Sequence, residues 1–389
     1  PIVFLLYWFV CQKSLKAQNV LLLVASYFFY SCWDDRFLLL LIFSTALDYF
    51  SGLQLEKTTN SSIRKFWFYA SISVNLSLLG IFKYFNFFAN SFQTLLLKIG
   101  FSVDIFTLNV ILPIGISFYT FHGLSYVIDV YKKKIPAERN FVQYAVFVSY
   151  FPLLVAGPIE RAPHLLPQLK IKRTFNYEQA ISGLYQILWG LFKKVVIADN
   201  CARFANEIFN NPESYNGSTL VVGALLFTFQ IYGDFSGYSD IALGTSKLLG
   251  IELLKNFAFP YFSRDIAEFW RRWHISLSSW FKDYLYIPLG GSKGGKWMQI
   301  RNTFIIFLVS GFWHGANFTF LIWGFLNALY FLPLLLTNQN RTNLDIVAKN
   351  KWFPNFKEVF QMGVTFWLTV FAWIFFRSDS VSTAITYIK

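Results

Sequence analysis

The chain has 389 residues, of which 55% are hydrophobic and 21% aromatic, whereas only 14% are charged. A soluble domain has about 25% charged residues, so this composition excludes an ordinary water-soluble globular domain and predicts an integral membrane protein. The formal net charge is +13. The Lys and Arg residues lie in short loops between apolar segments, which the positive-inside rule explains without nucleic acid as a partner.

Uncharged segments recur along the chain and predict an all-α, polytopic transmembrane helical bundle in one membrane domain over residues 1–389. The long segments are residues 17–33, 66–82, 105–128, 141–159, 218–233, 316–340 and 359–376, and the shorter ones are 37–47, 84–97, 180–192 and 302–313. A straight span needs about 20 apolar residues, so the shorter segments predict tilted, broken or re-entrant helices. We expect about ten embedded helices around a central funnel or tunnel. Because an apolar segment ends shortly before Lys389, we expect the natural protein to continue beyond it.

The distribution of basic residues predicts the topology. Loops 132–139, 161–173, 271–301 and 341–357 are rich in Lys and Arg and are assigned to the cytoplasmic side. Segment 204–217 contains Glu207 and Glu213 and no basic residue, which places it outside. Lys193 and Lys194 fit this topology poorly. Segment 141–159 has basic residues on both sides, and one interpretation is a re-entrant hairpin that does not cross.

His314 lies between two apolar segments, 302–313 and 316–340, and basic residues flank this pair of segments at both ends. The first, 302–313, has twelve residues, or about 18 Å of helix at about 1.5 Å per residue. The hydrocarbon core is about 30 Å thick, so we expect His314 at membrane depth. An ionisable residue there is a functional hypothesis by default. Burial favours the neutral imidazole that a general base needs; the alternative is a helix–helix hydrogen bond.

A second histidine lies in a Trp-rich segment, residues 269–280. Apolar residues recur there at helical spacing: Trp270, Trp273, Leu277 and Trp280. This stripe predicts one amphipathic helix in the membrane interface, with the Trp rings at headgroup level. His274 shares the side of Arg271 and Ser278 by (i, i+3) and (i, i+4) spacing. A helix that only anchors the fold explains the Trp residues but explains His274 less well.

Acidic residues follow a long apolar segment at residues 232–240. The Gly, Ser and aromatic residues of this stretch predict a bend that ends the span. Asp234 and Asp240 are interpreted as helix caps or as groups that orient a catalytic side chain, and capping is the more common role of Asp in such a place.

The remaining histidines and the cysteines do not predict a metal site. His122 lies in an apolar segment and His164 in a polar loop, and no HxxxH or HxxE spacing occurs among the four histidines. The cysteines are Cys11, Cys32 and Cys201, without a CxxC pair or a Cys/His cluster.

Five long motifs resemble those of a known family. The segments FWRRWHISLSSWFKDYLYIPLGG at 269–291 and SGFWHGANFTFLIWG at 310–324 are similar to the paired histidine motifs of the membrane-bound O-acyltransferases, or MBOAT family. The segments LPIGISFYTFHGLSYVIDVY at 112–131, FPLLVAGPIER at 151–161 and YGDFSGYSDIALG at 232–244 resemble the bacterial alginate O-acetylation branch. The resemblance covers most of the chain from residue 112 onward.

This resemblance implies an O-acetyltransferase of the cell inner membrane. It implies acetyl-CoA as a cytoplasmic donor substrate without a bound cofactor, and an extracytoplasmic acceptor polysaccharide such as alginate, or a periplasmic SGNH-type acetyltransferase that receives the group. Membrane lipid is the remaining partner. His314 stands at the family's catalytic position and His274 at that of its companion, whereas His122 stands where many relatives have Gln. Other substrate-binding candidates are Arg271, Arg272, Trp273, Ser278, Asp234, Trp313 and Asn317.

A thioester is already activated, so the chemistry requires a base for an acceptor hydroxyl rather than a protein nucleophile. Neutral His314 is the predicted base, and His274 with a neighbouring Arg is expected to meet the anionic donor or to polarise the thioester. Two alternatives stay open. A D-alanyl transfer protein of the same superfamily would use a carrier protein's phosphopantetheine arm. A secondary transporter would also have broken helices, but the chain lacks internal repeats.

Overall fold

The computed structural model of the protein describes residues 1–104, 106–108, 111–349 and 351–389. Within these ranges the regular elements are helical and no β-strand is present, which confirms the all-α prediction. The predicted segment 105–128 and the predicted loop 341–357 fall partly outside the described residues, at Ile105, Asn109 and Val110 in the first and at Asn350 in the second.

The α-helices are numbered in chain order. They are α1 Ile2–Leu5, α2 Leu15–Ser31, α3 Asp35–Lys57, α4 Ser61–Leu79, α5 Phe85–Lys98, α6 Ile116–Tyr131, α7 Phe141–Ser149, α8 Ala162–Lys170, α9 Tyr177–Leu191, α10 Asp199–Asn210, α11 Gly217–Leu248, α12 Ile266–Arg272, α13 Ile275–Phe281, α14 Gly295–His314, α15 Phe318–Leu336, α16 Phe356–Arg377 and α17 Val381–Ile388. Wider π turns lie at Leu6–Val10, Gly80–Tyr84, Phe192–Ala198 and Lys282–Tyr286, and 3₁₀ turns at Pro212–Ser214 and Pro260–Phe262.

Several helices are long and apolar enough to cross a membrane. Among the described residues there are six: Asp35–Lys57, Ser61–Lys98, Tyr177–Asn210, Gly217–Leu248, Phe318–Leu336 and Phe356–Arg377. They confirm a polytopic helical membrane protein. α7 has nine residues, or about 14 Å of helix, and seven of them are buried by protein. A short, protein-enclosed helix of this kind fits the re-entrant interpretation of segment 141–159.

The chain divides into two compact units. The first contains Pro1–Ile187 and Ala242–Leu254, and the second contains Leu188–Ile241 and Lys255–Lys389. The second unit holds both histidine motifs, and its core includes buried aromatic residues of α12, α15 and α16. The prediction of one membrane domain over the whole chain stays a prediction, as does the central funnel.

The predicted bend at residues 232–240 is wrong, because α11 continues through them as one helix of 32 residues. Gly237 permits close helix packing instead of a break: a Cβ there would lie 2.8 Å from the Gly190 carbonyl oxygen of α9. Both acidic residues take ion-pair partners rather than helix caps. Asp234 pairs with Lys194 at 2.5 Å, and Asp240 pairs with Lys193. These ion pairs account for Lys193 and Lys194, which fitted the predicted topology poorly.

The single amphipathic helix predicted over residues 269–280 is also wrong. α12 ends at Arg272 and α13 begins at Ile275, and His274 between them has a left-handed φ of 43°. The backbone is held there by Asn256, whose carbonyl oxygen accepts the Ile275 N–H at 2.9 Å. Trp273 is 3% exposed and packs inside the second unit. Tertiary contacts therefore override the helical pattern, and this ring packs against protein instead of facing lipid.

The helix that ends at His314 is longer than the predicted apolar arm. α14 has 20 residues, or about 30 Å, because residues 295–301, which include Lys296, Gln299 and Arg301, also join it. It packs closely on α15 through glycines. A Cβ on Gly311 would lie 2.2 Å from the Phe320 carbonyl oxygen, and one on Gly324 would lie 2.3 Å from that of Phe307. The depth of His314 therefore no longer follows from a short arm.

Candidate active site

His314, the last residue of α14, is surrounded by aromatic rings from three helices. The Trp313 ring lies 4.9 Å from the imidazole between centroids. Trp323 of α15 and Phe376 of α16 each lie 5.2 Å from it. The residue is half-buried, so protein atoms leave part of it accessible. An imidazole with apolar walls and an open side is suited to meet a reacting group.

His274 lies close by and is buried. Its imidazole is 4.7 Å from the Phe235 ring, 6.4 Å from Phe257 and 6.1 Å from Trp313. Trp313 therefore contacts both histidines, and its two centroid distances, 6.1 Å and 4.9 Å, limit the separation of the imidazoles to about 11 Å. The two imidazoles are therefore close neighbours within the second unit.

The two nitrogens of the His274 ring have different environments. Nδ1 lies 3.1 Å from Oδ1 of Asn256. Nε2 is buried and has no hydrogen-bond partner among the described residues. Burial, and after it the nearby His314, hold the pKa of His274 well below its ordinary value. The ring is therefore neutral near pH 7.

The backbone of His274 is also unusual. A non-glycine residue with a left-handed φ costs roughly 1–3 kcal/mol and persists only where surrounding structure enforces it. Such strain clusters at functional sites, which agrees with the predicted role of His274.

A cavity of about 440 Å³ lies in the same unit. Its largely apolar walls include Trp270, Ile306, Phe307 and Phe331. Three basic side chains also line it: Arg271, Lys282 and Arg341. Ser310, which lines the cavity, precedes His314 by one helical turn on α14, and Ile275 directly follows His274. Apolar walls with a few cations suit a long substrate that carries phosphate groups.

The two consecutive arginines of the motif have separate partners. Arg271 donates to the carbonyl oxygens of Asn340 at 3.1 Å and Asn343 at 2.7 Å, in the loop after α15. Arg272 forms an ion pair at 2.6 Å with Glu268, which is 1% exposed. Arg271 therefore lines the cavity and fastens a loop that also contributes to it, whereas Arg272 serves a buried ion pair.

The other candidates of the second unit are spread over different environments. Ser278 lines the cavity, and its hydroxyl donates to the Trp273 carbonyl oxygen at 3.4 Å. Trp273 packs against Trp373 at 5.1 Å in the core. Asn317 caps α15 and donates to the Asp379 carbonyl oxygen at 2.7 Å. Asp234 faces a lysine, as described above. Ser278 and Trp313 thus lie beside the histidines or the cavity, whereas Trp273 and Asn317 have structural partners.

His122 belongs to the first unit and has backbone partners on both sides of its ring. Nε2 accepts the Glu160 N–H at 3.0 Å, and Nδ1 lies 3.4 Å from the Val148 carbonyl oxygen. The Glu160 carboxylate, which is fully buried, bonds Nδ1 of His164 at 2.8 Å. These contacts explain His122 as a residue that joins three backbone segments, and its substrate-binding role stays a prediction.

The sequence of this chain is similar to known proteins over most of its length. The model of the membrane-bound O-acyltransferase family matches residues 22–375. The chain belongs to this family. A probable alginate O-acetylase of Pseudomonas aeruginosa is 39% identical over 95% of this chain and 68% of its own length. A peptidoglycan O-acetyltransferase of Helicobacter pylori is 37% identical, with 100% and 77% covered. A teichoic acid D-alanyltransferase of Bacillus subtilis is 28% identical, with 69% of each chain covered.

This MBOAT protein is therefore a multi-pass membrane O-acyltransferase, which removes the secondary-transporter alternative. An O-acyltransferase must bind an acyl donor and an acceptor hydroxyl together and provide a group that takes the hydroxyl proton. The second unit contains both the histidine pair and a cavity with basic residues, which are the candidates for these elements. In the described ranges no three His, Cys, Asp or Glu side chains form a cluster suited to a metal ion.

Sequence reasoning missed Asn256, which organises this site. The residue is 1% exposed, and its Oδ1 also accepts from the Ser276 hydroxyl at 2.9 Å. It stands alone in a loop 18 residues before His274, so no local spacing indicates the contact. By contrast, the ion-pair partners of Glu268 are local: Arg264 and Arg272 lie four residues before and after it in the chain.

Proposed function

We propose that this O-acyltransferase transfers an acetyl group from cytoplasmic acetyl-CoA to an acceptor outside the cell inner membrane, with His314 as the general base. The observation that carries the proposal is the partly accessible His314 imidazole, which lies one helical turn beyond the cavity residue Ser310. The Trp313 ring contacts both this imidazole and that of neutral His274. The acceptor is a polysaccharide or a periplasmic SGNH-type acetyltransferase that passes the group on.

The donor assignment rests on the chemistry of the cavity. Acetyl-CoA combines a long, uncharged pantetheine arm with several phosphate charges. The apolar walls suit the arm, and the cations of Arg271, Lys282 and Arg341 suit the phosphates. The basic composition of loops 271–301 and 341–357 supports a cytoplasmic position for this face.

The proposed step needs no protein nucleophile. The acceptor hydroxyl oxygen attacks the thioester carbonyl carbon while a ring nitrogen of His314 takes the hydroxyl proton. The C–S bond then breaks, and the leaving CoA thiolate takes that proton from the His314 imidazolium, which restores the neutral base. The products are an acetyl ester and free CoA. A positioned general base contributes typically about 10²–10⁴-fold to such a reaction.

The acceptor class rests on the relatives. The alginate and peptidoglycan enzymes are named O-acetyltransferases of polymers that carry sugar hydroxyls, and both match nearly the whole chain. The D-alanyltransferase match is weaker in identity and in coverage, which favours acetyl over D-alanyl transfer. A D-alanyl donor presents its phosphopantetheine arm on a carrier protein, so it has less need of several cations in the cavity.

The test uses purified protein in proteoliposomes that hold labelled acetyl-CoA on the cytoplasmic side and a polysaccharide acceptor, alginate or peptidoglycan, on the other. We expect labelled ester on the acceptor with the parent and none with His314→Ala. A parallel sample receives D-alanyl carrier protein instead. Labelled D-alanyl ester with no acetyl ester would overturn the donor assignment, and equal transfer by His314→Ala would overturn the base.

A further inference from the structure

The hydrogen bonds around Asn256 fix the protonation of His274. A backbone N–H is always a donor, and the Ser276 N–H points at Asn256 Oδ1 at 3.4 Å. The Ser276 hydroxyl donates to the same oxygen at 2.9 Å. The atom facing Nδ1 of His274 is therefore an acceptor, and Nδ1 of a neutral ring must carry the proton.

The other nitrogen is then an unsatisfied acceptor. Nε2 of His274 holds a lone pair, is buried and has no hydrogen-bond partner within the described ranges. Leaving a buried polar atom unpaired is unfavourable in free energy. The neighbours of the imidazole include the aromatic rings of Phe235, Phe257 and Trp313. Such an atom in a candidate site indicates a partner that arrives with the substrate.

We infer that Asn256 is a positioning residue that holds His274 in the Nδ1–H tautomer, so that Nε2 receives a hydrogen-bond donor of the substrate. The inference rests on the proposed function and makes it more specific. The bound group must carry a hydrogen, either the acceptor hydroxyl or an amide N–H of the pantetheine arm. A thioester carbonyl oxygen is excluded as the partner of Nε2, because both atoms are hydrogen-bond acceptors. His274 therefore does not polarise the thioester.

Three variants separate this role from a structural one. Asn256→Leu keeps the approximate volume and removes the acceptor. Asn256→Asp keeps an acceptor oxygen for Nδ1 and for the Ser276 N–H. Ser239→Ala is the matched control, because Ser239 contacts only the amide side of Asn256, at 3.3 Å from Nδ2. We expect transfer to fall about 10–100-fold in Asn256→Leu, the range for losing the partner that orients a functional histidine, and to stay within a few-fold in the control.

The pH dependence of transfer gives a readout that simple packing does not move. In Asn256→Asp a carboxylate beside Nδ1 raises the pKa of His274. Among the described residues, His314 is the ionisable group that acts on this ring in the parent, and the neighbouring side chains of Phe235, Phe257 and Trp313 are uncharged. Protonated Nε2 no longer accepts, so the acidic limb of the pH profile should move to higher pH while transfer near the optimum is retained. An unmoved limb, or loss equal to that in Asn256→Leu, would overturn the inference.

Direct observation of the tautomer is independent of activity. The NMR spectrum of ¹⁵N-histidine-labelled parent protein, with the His274 signals assigned by comparison with His274→Gln, should show Nδ1 protonated and Nε2 unprotonated. The opposite tautomer would overturn the inference even if the proposed function held. Binding of acetyl-CoA to Asn256→Leu then identifies the source of the bound hydrogen. Weaker binding indicates the pantetheine amide, unchanged binding with slower transfer indicates the acceptor hydroxyl, and no change in either contradicts the inference.

Discussion

Arg271 and Arg272 are consecutive in the chain, yet their guanidinium groups have unrelated partners. Arg271 donates to two loop carbonyl oxygens at the edge of the cavity. Arg272 is largely buried and pairs with Glu268, itself held by Arg264 at 3.0 Å. Consecutive residues of an α-helix point about 100° apart, so the two side chains leave the last turn of α12 in different directions.

These separate partners predict that substitutions of the two adjacent arginines affect different properties, donor binding for Arg271 and stability for Arg272. Arg271→Gln removes a cation and the two loop bonds, so KM for acetyl-CoA should rise about three- to tenfold, equivalent to roughly 1 kcal/mol. Arg272→Gln removes a charged hydrogen bond to buried Glu268, so the free energy of unfolding should fall by about 1.5–3 kcal/mol. Steady-state kinetics and thermal melts of both variants provide the check. A higher KM only in Arg272→Gln would contradict the assignment of Arg271 to the donor cavity.

The proposed base makes a second prediction. His314→Ala should lose at least about 10²-fold of transfer, the lower end of a general-base contribution. The fold should survive, because the half-buried ring leaves a space that water can enter. His314→Gln, which fills most of the volume without a basic nitrogen, is the matched control and should lose as much. Transfer within a few-fold of the parent, in variants that melt normally, would move the base to His274.

The sequence predicted the class of the protein well, because composition and helical spacing act over long stretches. The roles of His274 and His314 stay predictions. Six long spans match apolar segments. It failed where tertiary contacts decide the backbone. The pattern of residues 269–280 is helical throughout, but the bond from the Ile275 N–H to the Asn256 carbonyl oxygen breaks the helix before His274.

The prediction of a bend in α11 was wrong for a related reason. Glycine and aspartate usually signal a helix end, and residues 232–240 contain both. Here the glycine allows a neighbouring helix to approach, and Asp234 finds Lys194, which lies 40 residues away in the chain. A local pattern does not contain such partners. The partner of His274 was missed for the same reason.

Glycine contacts between α9 and α11 make a third prediction. A Cβ on Gly190 would lie 2.6 Å from the Gly237 carbonyl oxygen, so Gly190→Ala forces the helices apart and should cost about 1–3 kcal/mol. Gly363 in α16 is the matched control, since an added Cβ meets nothing within 4 Å. Gly363→Ala should leave stability unchanged or raise it by up to about 1 kcal/mol through helix propensity. Equal melting temperatures for the two variants would contradict this packing.

The last prediction concerns His164 in the first unit. Its hydrogen bond to buried Glu160 raises the pKa of His164 above its ordinary value. The unfolded histidine titrates near about pH 6.5. The folded protein thus binds the proton more tightly, and the resulting stability is fully present below that pH and is lost as pH rises through the folded pKa. Thermal melts of the detergent-purified parent should show a melting temperature that falls between about pH 6 and pH 9. His164→Gln keeps a donor for Glu160 without a titrating proton, so its melting temperature should fall less over the same range. Identical slopes for parent and variant would show that His164 does not carry the pH dependence.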